Sequence, residues 1–259
     1  MANPLLPGRI ILVGAGPGDP GLLTLHAAEA LRIADVLVHD GLVSAEVLAL
    51  ANPAARRVSV AKARSRHTMK QEAINDLLVA EAKRGLTVVR LKGGDPFIFG
   101  RGGEEVDAAR ERGIPVEVIP GITAAVGCAA EAMLPLTHRE AASAVSFVAG
   151  QCKGLAEQDW AGLAGRRRTL VIYMGLATAH AIADKLMADG VSPSMPVAVL
   201  EGGTRPGSRA LRSLLADLGT LVAREGVRSP AIIVVGEVAA RSDAEDRLAQ
   251  LAKVSGNVA

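Results

Sequence analysis

The stretch TVVRLKGGDPFIFGRGGEE (Thr87–Glu105) decides the architecture, because it reads as a strand, a loop and a helix start in succession. Thr87–Leu91 is a short β-branched and apolar run, expected as a buried strand. Gly93–Glu105 holds five glycines in thirteen residues and two of the chain's three phenylalanines, an unusual composition for a plain connector. Gly93 and Gly94 bring bare backbone to the strand end, and Glu104 falls in the first turn of the helix that follows. A strand that passes through a glycine loop into a helix is the unit of an open α/β sheet, whose ligands gather at the carboxyl ends of its strands.

Working outward, the same alternation recurs. Upstream, Arg9–Val13 is a strand ending in glycines, and Thr24–Ala34 is an Ala/Leu helix with Thr24 placed to cap it. Val36–Val38 reads as a strand, Ser44–Ala51 as a capped helix, Val58–Val60 as a strand and Thr68–Arg84 as a long helix ended by Gly85. Downstream, Val116–Ile119 is a strand that leads through Pro-Gly-Ile-Thr into a helix at Ala124–Met133. A mostly parallel sheet with helices on both faces follows.

Leu134–Arg139 breaks the pattern and is expected to join two domains. Strands restart at Ser143–Ala149, Thr169–Tyr173, Val197–Leu200 and Ala231–Val235, with helices at Thr178–Ala188 and Ser213–Arg224. Longer loops there predict a mixed sheet. The division is therefore residues 1–137, residues 138–245 and a tail over 246–259; the segment from Ser242 is charged and Ala-rich, one helix followed by disorder.

Composition excludes several function classes. With 2% aromatic residues, the chain lacks the stacking platforms of single-strand nucleic-acid binders, and a formal charge of +2 offers no field for a polyanion. No apolar stretch reaches the ~18 residues of a membrane span. Cys128 and Cys152 form no CxxC pair, and Met1–Gly8 is not signal-like, so reduced thiols and a cytoplasmic location are expected. No His, Cys and carboxylate cluster has metal-ligand spacing, so no metal is expected.

GAGPGDPG (Gly14–Gly21) follows the first strand directly. It reads either as a tight strand–helix turn or as a ligand-approach loop. A nicotinamide-binding reading needs a helix-opening G-x-G-x-x-G, and Pro17 stands against it. In the second glycine loop, Asp95 is placed to accept hydrogen bonds from a ribose or an amine, and Arg101 is a fork suited to carboxylates. The blander reading makes Asp95 and Glu104 helix-end residues favoured by the helix dipole.

VGAGPGDPGLLTL, RLKGGDPFIFGRGGEE, PGIT, PLTHR and YMG, in this order from about Arg9 to Arg241, resemble the tetrapyrrole methylase family, and within it the uroporphyrinogen-III C-methyltransferase branch. The resemblance implies two α/β domains with a cleft between them, S-adenosylmethionine as methyl donor, a homodimer, and methylation of uroporphyrinogen III at C-2 and C-7 to give precorrin-2. It places donor contacts at Pro17, Gly93, Gly94, Asp95, Ile98, Thr123, Ala124, Met174 and Gly203. It places acid/base work on Asp40 and Lys62, and tetrapyrrole binding on Arg101, Glu104 and Arg139. From the residues alone, Asp40 is also a strand-end turn residue, Lys62 a surface charge and Met174 a core methionine. An octacarboxylate macrocycle needs local cations, and Arg56, Arg57, Lys62, Arg64, Arg66, His67 and Lys70 supply a basic stretch that otherwise reads as a solvated face. Two rivals remain open: a sibling methylase acting on another precorrin, and a tetrapyrrole carrier without turnover. The chain departs from the family pattern at Gly41, Ala61, Ala63, Gln151 and Gly202, and has Glu131 and Met133 where Tyr and Gly are usual.

Overall fold

The computed structural model describes residues 8–61, 69–151 and 159–241. By its internal packing the chain divides into two compact units, Met1–Ala124 and Ala125–Ala259, so Leu134–Arg139 lies inside the second. Among the described residues no helix is long and apolar enough to cross a membrane.

The first unit runs β1 (Arg9–Gly14), α1 (Leu25–Ile33), β2 (Val36–His39), α2 (Ala45–Ala49), β3 (Arg56–Ser59), α3 (Gln71–Lys83), β4 (Thr87–Lys92), α4 (Gly102–Glu111) and β5 (Val116–Ile119). Its strands lie in the order β3-β2-β4-β1-β5, and every pairing is parallel. Strand period sorts the core into two layers. Ile11, Val13, Leu37, Val89 and Leu91 pack with Ala27 and Leu31 of α1 and Val47 of α2. Ile10, Leu12, Val36, Val38 and Val88 pack with Ile74 and Leu78 of α3 and Val106 and Ala109 of α4. Burying each large aliphatic side chain contributes about 2 kcal/mol. Because α1 and α4 cover opposite faces, the chain leaves the neighbouring strands β1 and β4 in opposite directions, which opens a crevice at their carboxyl ends.

The second unit holds α5 (Ala124–Glu131, but for its first residue), β6 (Ala142–Ala149), β7 (Arg167–Tyr173), α6 (Ala179–Ala188), β8 (Pro196–Glu201), β9 (Arg209–Leu214), α7 (Leu218–Arg224) and β10 (Ala231–Val235). The order is β6-β7-β10-β8-β9, with β6 and β7 parallel and the other pairs antiparallel, a mixed sheet as expected. Leu170, Ile172, Val197, Val199, Ile233 and Val235 form its core with Ile182 and Leu186 of α6 and Leu218 of α7.

Some boundaries differ from the sequence reading. The helix expected over Ser213–Arg224 begins only at Leu218, after a 3-10 turn at Leu215–Asp217. Before it, Arg209–Leu214 is an edge strand paired with β8, and Arg209 pairs with Glu201 across it. Its arginines broke the apolar run that would have marked it as a strand. Thr178 does not cap α6, because its hydroxyl donates instead to the carbonyls of Gly150 and Gly175. The helix expected from Thr68 starts at Gln71, with Met69 outside it and exposed. Helix α5 stops at Glu131, where Met133 takes a left-handed φ of 54°. Lys62, Arg64, Arg66, His67, Cys152 and the tail from Ser242 lie outside the described residues.

Candidate active site

The carboxyl ends of β1, β4 and β5 meet on bare backbone. Ala15 N–H donates to the Lys92 carbonyl at 2.7 Å. Gly16 and Gly94 then exchange N–H···O bonds of 3.2 and 2.7 Å, with Gly94 at φ +72°. A Cβ on Gly14 would stand 2.7 Å from the Gly94 carbonyl and strike the Gly121 backbone, so glycine at these strand ends is what allows the approach. Pro17 is buried beside this junction, and α1 opens only at Leu25, where Thr24 Oγ accepts from Ala27 N–H at 3.1 Å. The helix therefore starts well past the glycines, unlike a dinucleotide fingerprint.

Two carboxylates tie these loops together. Asp40, half-buried at the end of β2, accepts from Leu42 N–H at 3.0 Å and from Gly93 N–H at 3.3 Å. It is a turn residue and a link to the β4 loop at once. Asp95 accepts from Phe97 N–H at 2.8 Å and from Gly121 N–H at 3.0 Å, binding the β4 loop to the β5 loop. Ile98, Thr123 and Ala124 are partly exposed around them.

Arg101 and Glu104 are exposed and paired with each other. The guanidinium donates Nε–H and NH2–H to the two carboxylate oxygens, each at 2.7 Å. That hydrogen bond raises the Arg101 pKa and lowers that of Glu104. The expected carboxylate clamp thus already holds a carboxylate of its own chain. Among the described residues six non-glycines take left-handed φ, and four of them, Phe99, Arg101, Met174 and Thr204, fall in the FIFGR, YMG and EGGT segments. Such conformations cost about 1–2 kcal/mol each for L-residues and gather where a loop shape is required.

Beneath the loop lies a cluster that the sequence reading missed. Arg90 and Lys92 point from β4 to one face and are 3% exposed, and Glu105 in the first turn of α4 is 1% exposed. Arg90 Nε donates to Glu105 Oε1 at 3.0 Å, and Lys92 Nζ lies 3.2 and 3.0 Å from Oε1 and Oε2. Gln71 of α3 donates to the same Oε1 at 3.2 Å. Two cations face one anion, and the Lys92 pKa is lowered, first by burial and then by the charge of Arg90, against the pull of Glu105. The signal was present: two charges at alternate positions in a buried strand must find a partner.

In the second unit, Met174 follows β7 at φ 54° and is 47% exposed, so it is no core methionine. Gly203 is buried against Cys128 in α5, where a Cβ would stand 2.7 Å from the Cys128 Cβ. Arg139 is exposed, and its carbonyl accepts from the Arg167 guanidinium at 3.1 Å. Tyr173, the chain's one tyrosine, uses its hydroxyl to accept from Ala125 N–H at 3.1 Å in the first turn of α5. Among the expected residues, then, Asp40 and Gly93 share a hydrogen bond, while Gly94 and Asp95 bond to Gly16 and Gly121 at the neighbouring strand ends. Lys62 lies outside the described residues, and Arg56 of the basic stretch pairs with Glu81 at 2.6 Å. Among the described residues no group of three His, Cys, Asp or Glu side chains could hold a metal ion.

Comparison with known proteins places this architecture. Residues 9–219 match the family model described as Tetrapyrrole (Corrin/Porphyrin) Methylases. A Cronobacter sakazakii protein named siroheme synthase 2 is 52% identical over 236 residues, 91% of this chain and 51% of that protein. An Aeromonas hydrophila protein named siroheme synthase 3 is 53% identical over 237 residues, 91% of this chain and 50% of that protein. The chain thus spans about half the length of these curated relatives. A solved structure of uroporphyrin-III C-methyl transferase from Thermus thermophilus, complexed with S-adenyl homocysteine, matches with a TM-score of 0.76 and 43% identity, covering 89% of this chain and 98% of that one. The parallel first sheet, the mixed second sheet and the family match over most of the length lead to one conclusion: the chain belongs to the tetrapyrrole (corrin/porphyrin) methylases.

Proposed function

We propose that the protein is an S-adenosylmethionine-dependent uroporphyrinogen-III C-methyltransferase. It methylates C-2 and C-7 of uroporphyrinogen III, by way of precorrin-1, to give precorrin-2 and S-adenosylhomocysteine. The observation that carries the reading is the likeness, over 89% of this chain, to a Thermus thermophilus uroporphyrin-III C-methyl transferase complexed with S-adenyl homocysteine. The bare backbone at Gly14, Gly94 and Gly121 supports it, since side chains there would occlude the strand ends where α/β sheets hold ligands.

S-adenosylmethionine, when bound, supplies a methyl group already activated on a sulfonium, so the chain's task is alignment. We assign donor contacts to Pro17, Gly93, Gly94, Asp95, Ile98, Thr123, Ala124, Met174 and Gly203. Asp95 fits by orienting two backbone amides at these strand ends, and Gly93 by its half-buried peptide, which Asp40 fixes. Methylation of a ring carbon leaves a cationic macrocycle that must lose a proton from another atom, and the Asp40 carboxylate is assigned as its acceptor, with Lys62 as its acid/base partner. Arg101, Glu104 and Arg139 are assigned to the carboxylates of the macrocycle. Arg101 spends two of its five donors on Glu104, which fixes the fork while leaving donors for a substrate carboxylate. The homodimer, the cytoplasmic location and the absence of nucleic-acid and membrane partners belong to the same proposal.

Incubation of the full-length chain with uroporphyrinogen III and S-adenosylmethionine, followed by mass spectrometry, tests it. The product gains one and then two methyl groups. No gain, with authentic substrate intact, overturns the reading.

A further inference from the structure

One carboxylate joins the end of α5 to the loop between β8 and β9. Glu131 is the last residue of α5. Its Oε2 accepts from the backbone N–H of Thr204 at 2.7 Å, and its Oε1 accepts from the Ser208 hydroxyl at 3.1 Å. The two contacts bracket a loop that is strained where it passes Gly203. Gly202 takes φ 58° and Thr204 takes φ 63°, on either side of it. The loop's own bonds include two short turns, Arg205 N–H to the Gly202 carbonyl and Ser208 N–H to the Arg205 carbonyl, each at 3.1 Å.

Gly203 itself rests on Cys128, one helical turn before Glu131. Burial, and after it the Glu131 charge, push the Cys128 thiol up to about 11. It therefore stays a protonated, apolar pad under the Gly203 backbone at physiological pH. The pad sets how closely the loop approaches α5, and the carboxylate sets where along the helix it stops. Thr204, a β-branched residue at φ 63°, does not hold such a path unaided, because it has lower-energy alternatives when its anchor is removed.

We propose that Glu131 is a positioning residue for the methyl donor: it clamps the loop from Gly202 to Ser208 so that the Gly203 backbone is presented in a fixed place. The identity of the ligand rests on the function proposed above, whereas the clamp rests on the two contacts and the loop's strain. Glu131 stands where the family pattern has tyrosine, so this chain anchors the loop with a carboxylate of its own.

Calorimetric titration of S-adenosylhomocysteine into the full-length chain tests the clamp. Glu131→Ala removes both bonds and weakens binding about tenfold. Glu131→Gln stays within about twofold of wild type, since its amide oxygen can accept from Thr204 N–H while its NH2 donates to the Ser208 hydroxyl. Ser208→Ala removes one bond, leaves α5 untouched, and weakens binding about threefold, which keeps the test readable if Glu131→Ala does not fold. In steady state, Glu131→Ala raises the KM for the donor and leaves the KM for the tetrapyrrole unchanged, a split that a merely structural role would not produce. Wild-type affinity in both Glu131→Ala and Ser208→Ala overturns the clamp. Absence of binding by the wild type is a different result: it removes the donor reading, and the proposal with it.

Discussion

Helices α4 and α5 both follow a motif loop, yet they are fixed at their first turns by opposite chemistry. In α4 the anchor is ionic: Glu105 is buried against Arg90, Lys92 and Gln71. In α5 it is neutral, the Tyr173 hydroxyl on Ala125 N–H. A buried carboxylate that has lost a cation remains costly, and so does a cation that has lost its carboxylate. A buried amide that loses a neutral acceptor costs less. The ionic anchor also holds one more cation than anion, so its members are not equivalent. The anchor of α4 is therefore expected to be the more easily broken by a single change.

The largest effect is expected from Glu105→Ala, which strands two buried cations beneath the glycine loop. Unfolding in urea should show a loss of about 3–5 kcal/mol. Tyr173→Phe probes the neutral anchor and should cost about 1–2 kcal/mol, because it leaves the buried Ala125 N–H without its acceptor. A Tyr173→Phe loss equal to that of Glu105→Ala would erase the contrast between the helices.

Lys92→Met sharpens it further. It leaves Arg90 and Glu105 as a neutral pair, so stability at pH 7 should hold or rise by roughly 1 kcal/mol. Burial lowers the Lys92 pKa from its ordinary 10.5, so the unfolded chain binds more protons than the folded one between the lowered value and 10.5. Wild-type stability therefore gains from this group as pH rises through that window, and the gain is complete above 10.5. The advantage of Lys92→Met should accordingly narrow as pH rises towards 10.5 in paired urea titrations. An advantage independent of pH would mean that the Lys92 charge is not what burial penalises.

Much of the first unit was legible because its signals are local. The β1 and β4 runs end in glycines, Thr24 and Ser44 cap their helices as their positions suggested, and Val116–Ile119 is a strand as expected. The second unit hid more. Edge strand β9 sets Arg209, Arg212 and Ser213 among its apolar residues, and its Leu-Leu-Ala-Asp continuation mimics a helix. Glu131 meets Thr204 across 73 positions, a pairing that no periodicity encodes. Arg90 and Lys92 were readable as a pair in need of an acid, but Glu105 stood beside the exposed Glu104 and looked like a second helix-start residue. Met174 shows the reverse: its residue type suggested core, and only the left-handed turn after β7 puts it outside.

Methyl transfer to two defined carbons of one macrocycle can be followed with S-adenosylmethionine labelled with carbon-13 at the methyl group. The chain is incubated with uroporphyrinogen III, and the product is read by carbon-13 NMR. Two labelled methyl groups are expected, on C-2 and C-7. Label at any other ring carbon, or no label in the macrocycle at all, would contradict this expectation.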